Sequence, residues 1–279
     1  MISTGTNDVF FNKLTNEDDI DEHIFQIYSE SGAVFENRGL GFISKDVFVQ
    51  IELHNGDELI IEQSITCLSG KESSSTGFAA WKVSPLFAEW LLYHKNQPFQ
   101  ALFSQIDSKN ILELGSGVSG ILASTIGKKC NHFIATDQRH ILKLLKKNIL
   151  NNVDHFKSTT IDKNITNNSS NQNVVEFDWE NLEQGIYNTH HLALENSIDL
   201  ILACDTIYNE YLIPFFINSV AKLATENTII LIAIHLRDCE IVESFLKSSL
   251  PIFDCYNVKN EFLTSDLQKG YSIYYFKKK

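Results

Sequence analysis

Gly115, Gly117 and Gly120 follow one another at G-x-G-x-x-G spacing within Asn110–Ala123, a stretch that reads NILELGSGVSGILA. Glycines at these intervals allow a tight turn and let a ligand approach bare backbone N–H groups, Ser116 among them. A helix starting behind the turn adds a partial positive charge. Two acids stand beside this loop. Glu113 precedes the first glycine, and Asp137 closes the next apolar run, His132–Thr136. An acid in the second position suits the paired hydroxyls of a ribose. Further on, Asp178-Trp179 follows Val174–Phe177, and Asp205-Thr-Ile-Tyr208 follows Ile198–Ala203. Trp179 offers a purine a flat apolar face, and the small side chain of Ala203 leaves room beside an adenosine.

Two cofactor classes use such a loop, and Glu113 separates them. A dinucleotide sets its pyrophosphate here, where a carboxylate repels it. S-adenosylmethionine has no phosphate; its ammonium and sulfonium are complemented by a carboxylate. The residues favour the methyl donor over NAD, and the NAD-linked oxidoreductase stays as the alternative. A binding module that keeps the fold without turnover is a third reading.

These residues need elements to hold them. Ile111–Leu114 is short and apolar enough for a buried parallel strand, and each later acid or tryptophan also falls just past an apolar run. Ile141, Leu144, Leu145 and Ile149 make an amphipathic helix with Lys143, Lys146 and Lys147 outward. Thr228–Leu236 reads as a fifth strand with a helix at Glu240–Lys247 behind it, and Ile252–Val258 and Tyr271–Lys277 as a closing pair. Strands alternating with helices imply an α/β fold with a mainly parallel sheet covered on both faces. Its ligand crevice then lies at the carboxyl ends of the strands, where the residues above collect.

Ahead of this unit, Ile20, Ile24 and Ile27 suggest a short helix in an acidic segment. Val47, Val49, Ile51 and Leu53, then Leu59 and Ile61, alternate around Asn55-Gly56, a two-residue hairpin signal. Ser84 and Pro85 suit an N-cap and first helical position for Val83–Leu91. Trp81 lies just before that helix and outside its apolar stripe. The expected organisation is an N-terminal acidic segment and β-hairpin accessory over 1–70, then a cofactor domain over 71–279. Residues 151–173, rich in Asn, Ser and Thr, read as a mobile insertion.

The chain has 279 residues, 43% hydrophobic, enough for one large core. Its formal charge of −12 disfavours direct nucleic-acid binding and suits a basic partner. Cysteines 67, 130, 204, 239 and 255 form no C-x-x-C pair, so neither a metal site nor a disulfide framework is expected. No signal peptide and no apolar run of membrane-spanning length appear, so the expectation is a cytoplasmic protein with no membrane partner, acting as a monomer.

The series ELGSG, TD, DW and D-x-x-Y resembles the seven-strand S-adenosylmethionine-dependent methyltransferases, and more narrowly the protein-lysine branch called methyltransferase family 16. Gly77 and Trp81 match that branch's G-x-x-x-W, and Asp205 and Tyr208 match its D-x-x-Y. The resemblance covers roughly residues 35–279 and departs at Ser119, where many relatives carry glycine. It implies a seven-strand Rossmann-like sheet and S-adenosyl-L-methionine as cofactor. The acceptor it implies is a basic protein, specifically a ribosomal protein, with another basic protein such as a translation factor as the alternative. Trp81, Glu113, Gly115, Ser116, Gly117, Asp137, Trp179 and Ala203 would line the cofactor site. Asp205 would capture and orient the lysine ammonium, and Tyr208 would shape the acceptor channel.

Overall fold

The computed structural model describes residues 7–35, 41–64, 75–153, 171–190, 192 and 198–279. Its strands, in chain order, are β1 (Phe11–Leu14), β2 (Phe48–Glu52), β3 (Glu58–Glu62), β4 (Asn110–Leu114), β5 (His132–Asp137), β6 (Gln172–Glu176), β7 (Leu200–Cys204), β8 (Ile229–His235), β9 (Phe253–Val258) and β10 (Tyr271–Lys278). The helices that pack on them are α1 (Glu17–Phe35), α2 (Val83–Tyr93), α3 (Ile121–Thr125), α4 (Arg139–Asn152), α5 (Leu182–His190), α6 (Ile213–Leu223) and α7 (Cys239–Ser249).

Strands β8, β7, β4, β5 and β6 lie side by side and parallel. The chain moves from β4 outward to β5 and β6, then returns to place β7 on the other side of β4. That reversal opens a crevice at the carboxyl ends of β4 and β7. The sheet is covered on both faces. Hairpin β2–β3 with α2, α3 and α4 buries one core, and α1, α6 and α7 bury the other. Every residue of β7 is buried, as a parallel strand between two helical layers requires.

The sheet has eight strands, where the resemblance implied seven. The extra one is β1, drawn from the acidic N-terminal segment and paired antiparallel with β9, Phe11 opposite Val258. It buries Phe11 and Leu14 and exposes Asn12 and Lys13 between them, four residues without the period-two pattern that marks a strand in the sequence. The insertion expected over 151–173 lies outside the described residues apart from its ends.

The hairpin forms a sheet of its own, with Val49, Ile51, Leu59 and Ile61 turned into the core. Its turn is longer than the two residues expected. Leu53 N–H donates to Asp57 O at 2.8 Å, and Gly56 takes a positive φ of 84° to close the loop. This is the three-residue solution with a left-handed glycine. The outer edge of β3 is capped by two side chains one helical turn apart on α4. Asn152 exchanges hydrogen bonds with the backbone of Ile60 (2.8 and 2.9 Å), and Asn148 does so with Glu62 (2.9 and 2.7 Å). Two carboxamides thus stand in for a missing strand. Helix α2 starts at Val83 behind Lys82, earlier than Ser84 suggested; Pro85 sits in the first turn, where its missing N–H costs nothing.

Candidate active site

A cavity of about 700 Å³ lies at the carboxyl ends of the parallel strands. Its floor is the turn after β4. Gly115 and Ser116 donate their N–H groups to Thr136 O (3.1 and 2.9 Å), folding the loop against β5. Gly115 has φ +74°, and a Cβ there would come within 2.8 Å of Thr206 Cγ2 and 3.2 Å of a Trp179 ring carbon. Only glycine fits. Gly117 N–H donates to Asp137 Oδ2 and Gln138 N–H to Oδ1, both at 2.8 Å, so the acid at the end of β5 is pinned to the glycine loop. Trp179 follows β6 and rests edge-on against Phe216, ring centroids 5.1 Å apart.

Residues flanking the N-terminal hairpin build the next wall. Gln63 Oε1 accepts from Ala80 N–H (2.9 Å), and Phe42 bridges to Trp81 with rings stacked 4.6 Å apart. Trp81 Nε1–H donates to Thr76 O (3.2 Å), and Thr76 Oγ1–H donates to the Tyr208 hydroxyl (2.9 Å). Thr76 therefore ties Trp81 to Tyr208. Burial raises the Tyr208 pKa above its ordinary value, which keeps the phenol protonated.

Gly115, Ser116, Gly117, Asp137, Trp179, Trp81, Asp205 and Tyr208 all line this cavity. Glu113 does not reach its surface. It is buried beneath the glycine loop at 2% exposure, and burial pushes its carboxyl up to about 8; the Ser116 hydroxyl lies near enough to oppose that shift without hydrogen-bonding to it. Burial likewise raises Asp137, to about 6, against the pull of its two backbone donors. Ala203 is absent from the lining. Successive residues of a strand face opposite ways, and Ala203 points into the core under α6 while Cys204 faces the cavity.

Asp205 departs most from expectation. Its carboxylate is not free. Arg237, just past β8, donates Nη1 to Oδ1 (2.9 Å) and Nη2 to Oδ2 (2.5 Å) in a bidentate pair. Extending the survey of strand ends to β8 would have found Arg237 in the sequence; its partner would not have been found. Among the described residues no cluster could hold a metal ion.

The profile of the lysine methyltransferase family matches residues 57–249. A ribosomal lysine N-methyltransferase 5 from Zygosaccharomyces rouxii is 32% identical over 87% of this chain and 92% of its own length. This chain belongs to the lysine methyltransferase family. The enzyme of the same name from Vanderwaltozyma polyspora is 30% identical over 93% of this chain and 97% of its own. Among solved structures, a Thermus thermophilus 16S rRNA methyltransferase in complex with AdoMet and guanosine aligns with a TM-score of 0.49 at 13% identity; the alignment covers 83% of this chain and half of that one.

The lysine methyltransferases use S-adenosylmethionine, and the cavity fits it. Ser116 Oγ and Thr206 Oγ1 line the cavity buried and without a partner, and Glu113 Oε2 is buried unpartnered beneath them. Each such atom costs about 1–3 kcal/mol until something pairs with it. A cationic, hydrogen-bonding ligand on the glycine loop relieves that cost. A pyrophosphate would instead meet Asp137, Asp178 and Glu180 around the walls.

Proposed function

We propose that this lysine methyltransferase modifies a lysine of a basic ribosomal protein. The observation that carries the reading is the charge of the cavity wall: Asp137, Asp178, Glu180 and Asp205 against the single guanidinium of Arg237. Such a wall attracts a cationic side chain and repels a nucleic-acid backbone. The net charge of −12 acts in the same direction, and relatives bearing the name ribosomal lysine N-methyltransferase support the choice of acceptor. A monomer in the cytoplasm fits the free thiols of Cys130, Cys204, Cys239 and Cys255.

In this reading Trp81, Gly115, Ser116, Gly117, Asp137 and Trp179 hold the donor, with Glu113 beneath becoming a counter-charge as the bound cation favours its ionised form. Asp205 and Tyr208 receive the lysine. S-adenosylmethionine, when bound, supplies an electrophilic methyl group on a sulfonium. The residues' task is then to align a neutral amine behind it and keep water out. Neutralising a lysine of pKa about 10.4 at pH 7 costs about 4–5 kcal/mol. Burial in the channel and the adjacent sulfonium both lower that cost. The protonated Tyr208 cannot take the proton, so it leaves to solvent.

The test is transfer of tritiated methyl from S-adenosylmethionine into a lysate of cells lacking the enzyme, with the labelled macromolecule isolated and the labelled peptide sequenced. Label on one lysine of a ribosomal protein is expected. Label confined to RNA, or to a translation factor in the same lysate, overturns the choice of acceptor.

A further inference from the structure

The lysine-transfer reading leaves a difficulty at Asp205, and the inference here rests on that reading. A bare carboxylate beside the acceptor would hold the lysine as ammonium, the form that cannot react. Asp205 is nevertheless aimed with care. It has φ +58°, the only non-glycine residue with positive φ among those described, and its side chain is almost wholly buried. Its N–H is fixed to Ala233 O (2.8 Å), and His235 N–H approaches Oδ1 at 3.4 Å. Arg237 then occupies both carboxylate oxygens in plane, with its guanidinium carbon 5.0 Å above the Trp81 ring and its side chain one-quarter exposed in the cavity wall.

We propose that Arg237 is a positioning residue acting through Asp205. It cancels the field of that carboxylate at the acceptor amine while leaving a second lone pair on Oδ2 free to accept a hydrogen bond. The amine is oriented without being held protonated. Its proton goes to solvent; its lone pair then bonds to the methyl carbon as the C–S bond breaks. That electron pair stays on sulfur as a neutral thioether, and the positive charge leaves on the methylated nitrogen.

Other groups face the pair. Glu113, Cys204 and Tyr208 are all held toward their uncharged forms by burial. Asp137 on β5 and Asp178 and Glu180 after β6 are the carboxylates around the same cavity. His235 stacks on Tyr271 of β10, and Asp238 is turned to the N–H groups that open α7. Losing the guanidinium exposes Cys204 and Tyr208 to more of the Asp205 charge, which drives them further toward their uncharged forms, so a displaced acid limb reports the lost guanidinium.

The experiment measures initial rates from pH 6.5 to 9.5 with ribosomal protein extract and tritiated S-adenosylmethionine. It compares the full chain with Arg237→Gln, Arg237→Lys and the double variant Asp205→Asn, Arg237→Gln. S-adenosylhomocysteine affinity is followed by calorimetry in each. In Arg237→Gln the acid limb is expected to move up by about one pH unit or more. Its rate falls at least tenfold at pH 7 and approaches the wild-type rate at high pH, with the affinity for S-adenosylhomocysteine within about threefold. Arg237→Lys keeps the charge and restores most of the limb. The double variant returns the limb to its wild-type position beneath a lower plateau. A rate lowered by the same factor at every pH overturns the proposal, because that is what a merely structural contact would do. If Arg237→Gln does not fold, Asp205→Asn alone removes the carboxylate and leaves the guanidinium, so its acid limb must move to lower pH, and an unmoved limb there is fatal. Failure of the unaltered protein to label lysine at any pH defeats the underlying reading instead, and the two results cannot be confused.

Discussion

Around the glycine loop, Ser116 Oγ, Thr206 Oγ1 and Glu113 Oε2 are buried without partners. Across the cavity, Asp205 and Arg237 satisfy each other, and Thr76 bonds Tyr208. One half carries an unmet hydrogen-bonding need and the other has met its own. Under the proposed function the difference follows from what each half must do. The donor half binds by supplying contacts that nothing else in the protein can make, so it stays open at a cost in stability. The acceptor half must orient a side chain while letting it lose charge, so its own charges are matched beforehand.

The largest expected effect breaks the acceptor half alone. Asp205→Ala leaves Arg237 without its partner and should lower methyl transfer about 10³-fold, a loss of the size seen when a preorganised polar contact is removed. Calorimetry should find S-adenosylhomocysteine affinity within about threefold. Equal loss of both would make Asp205 part of the donor half. Next, Gly115→Ala drives a Cβ into Thr206 and Trp179 at an unfavourable φ. It should weaken S-adenosylhomocysteine about 100-fold, or about 2.7 kcal/mol, and a variant that binds normally would show that the turn yields. Trp179→Ala removes the ring proposed to stack on the purine; stacking of this kind is worth about 1–3 kcal/mol, so about tenfold weaker binding is expected, with transfer recovering at saturating donor.

The smallest effect concerns Glu113 and is read against pH. Its carboxyl sits at about 8 in the folded protein, against an ordinary value of 4.5. The folded chain therefore keeps a proton that the unfolded chain gives up, and ligand-free stability falls as pH rises from about 4.5 towards 8. Glu113→Gln should flatten the melting temperature across that window in a thermal-shift series. Donor affinity in the unaltered protein should rise over the same range, because a cation favours the ionised carboxylate. Asp137, raised to about 6, acts in the same direction over a lower and narrower window, so an unchanged slope in Glu113→Gln would transfer the effect to it.

Much of the donor half was legible in advance because its signals are local. A buried strand, a run of glycines and an acid or tryptophan just past a strand end each occupy a few consecutive residues, and strand ends gather at one edge of a parallel sheet. Ala203 shows how far such reasoning reaches. It found the strand end at the cavity, where the side chain in the lining is that of Cys204 while Ala203 packs in the core. The segments flanking the hairpin also build the Trp81 wall, through Gln63 just after β3 and Phe42 ahead of β2. Nothing in the hairpin's alternating pattern points to that role.

Periodicity and glycine spacing by themselves determined the α/β architecture, the crevice and many of the residues that line its cavity, because a backbone's options are set by neighbours close in sequence. Only the tertiary structure decided that Arg237 closes on Asp205, that β1 completes the sheet edge, and that Asn148 and Asn152 cap β3. Those pairings join residues distant in the chain. They depend on which face of a strand or helix is presented once both cores have formed, and that is set by packing over the whole molecule.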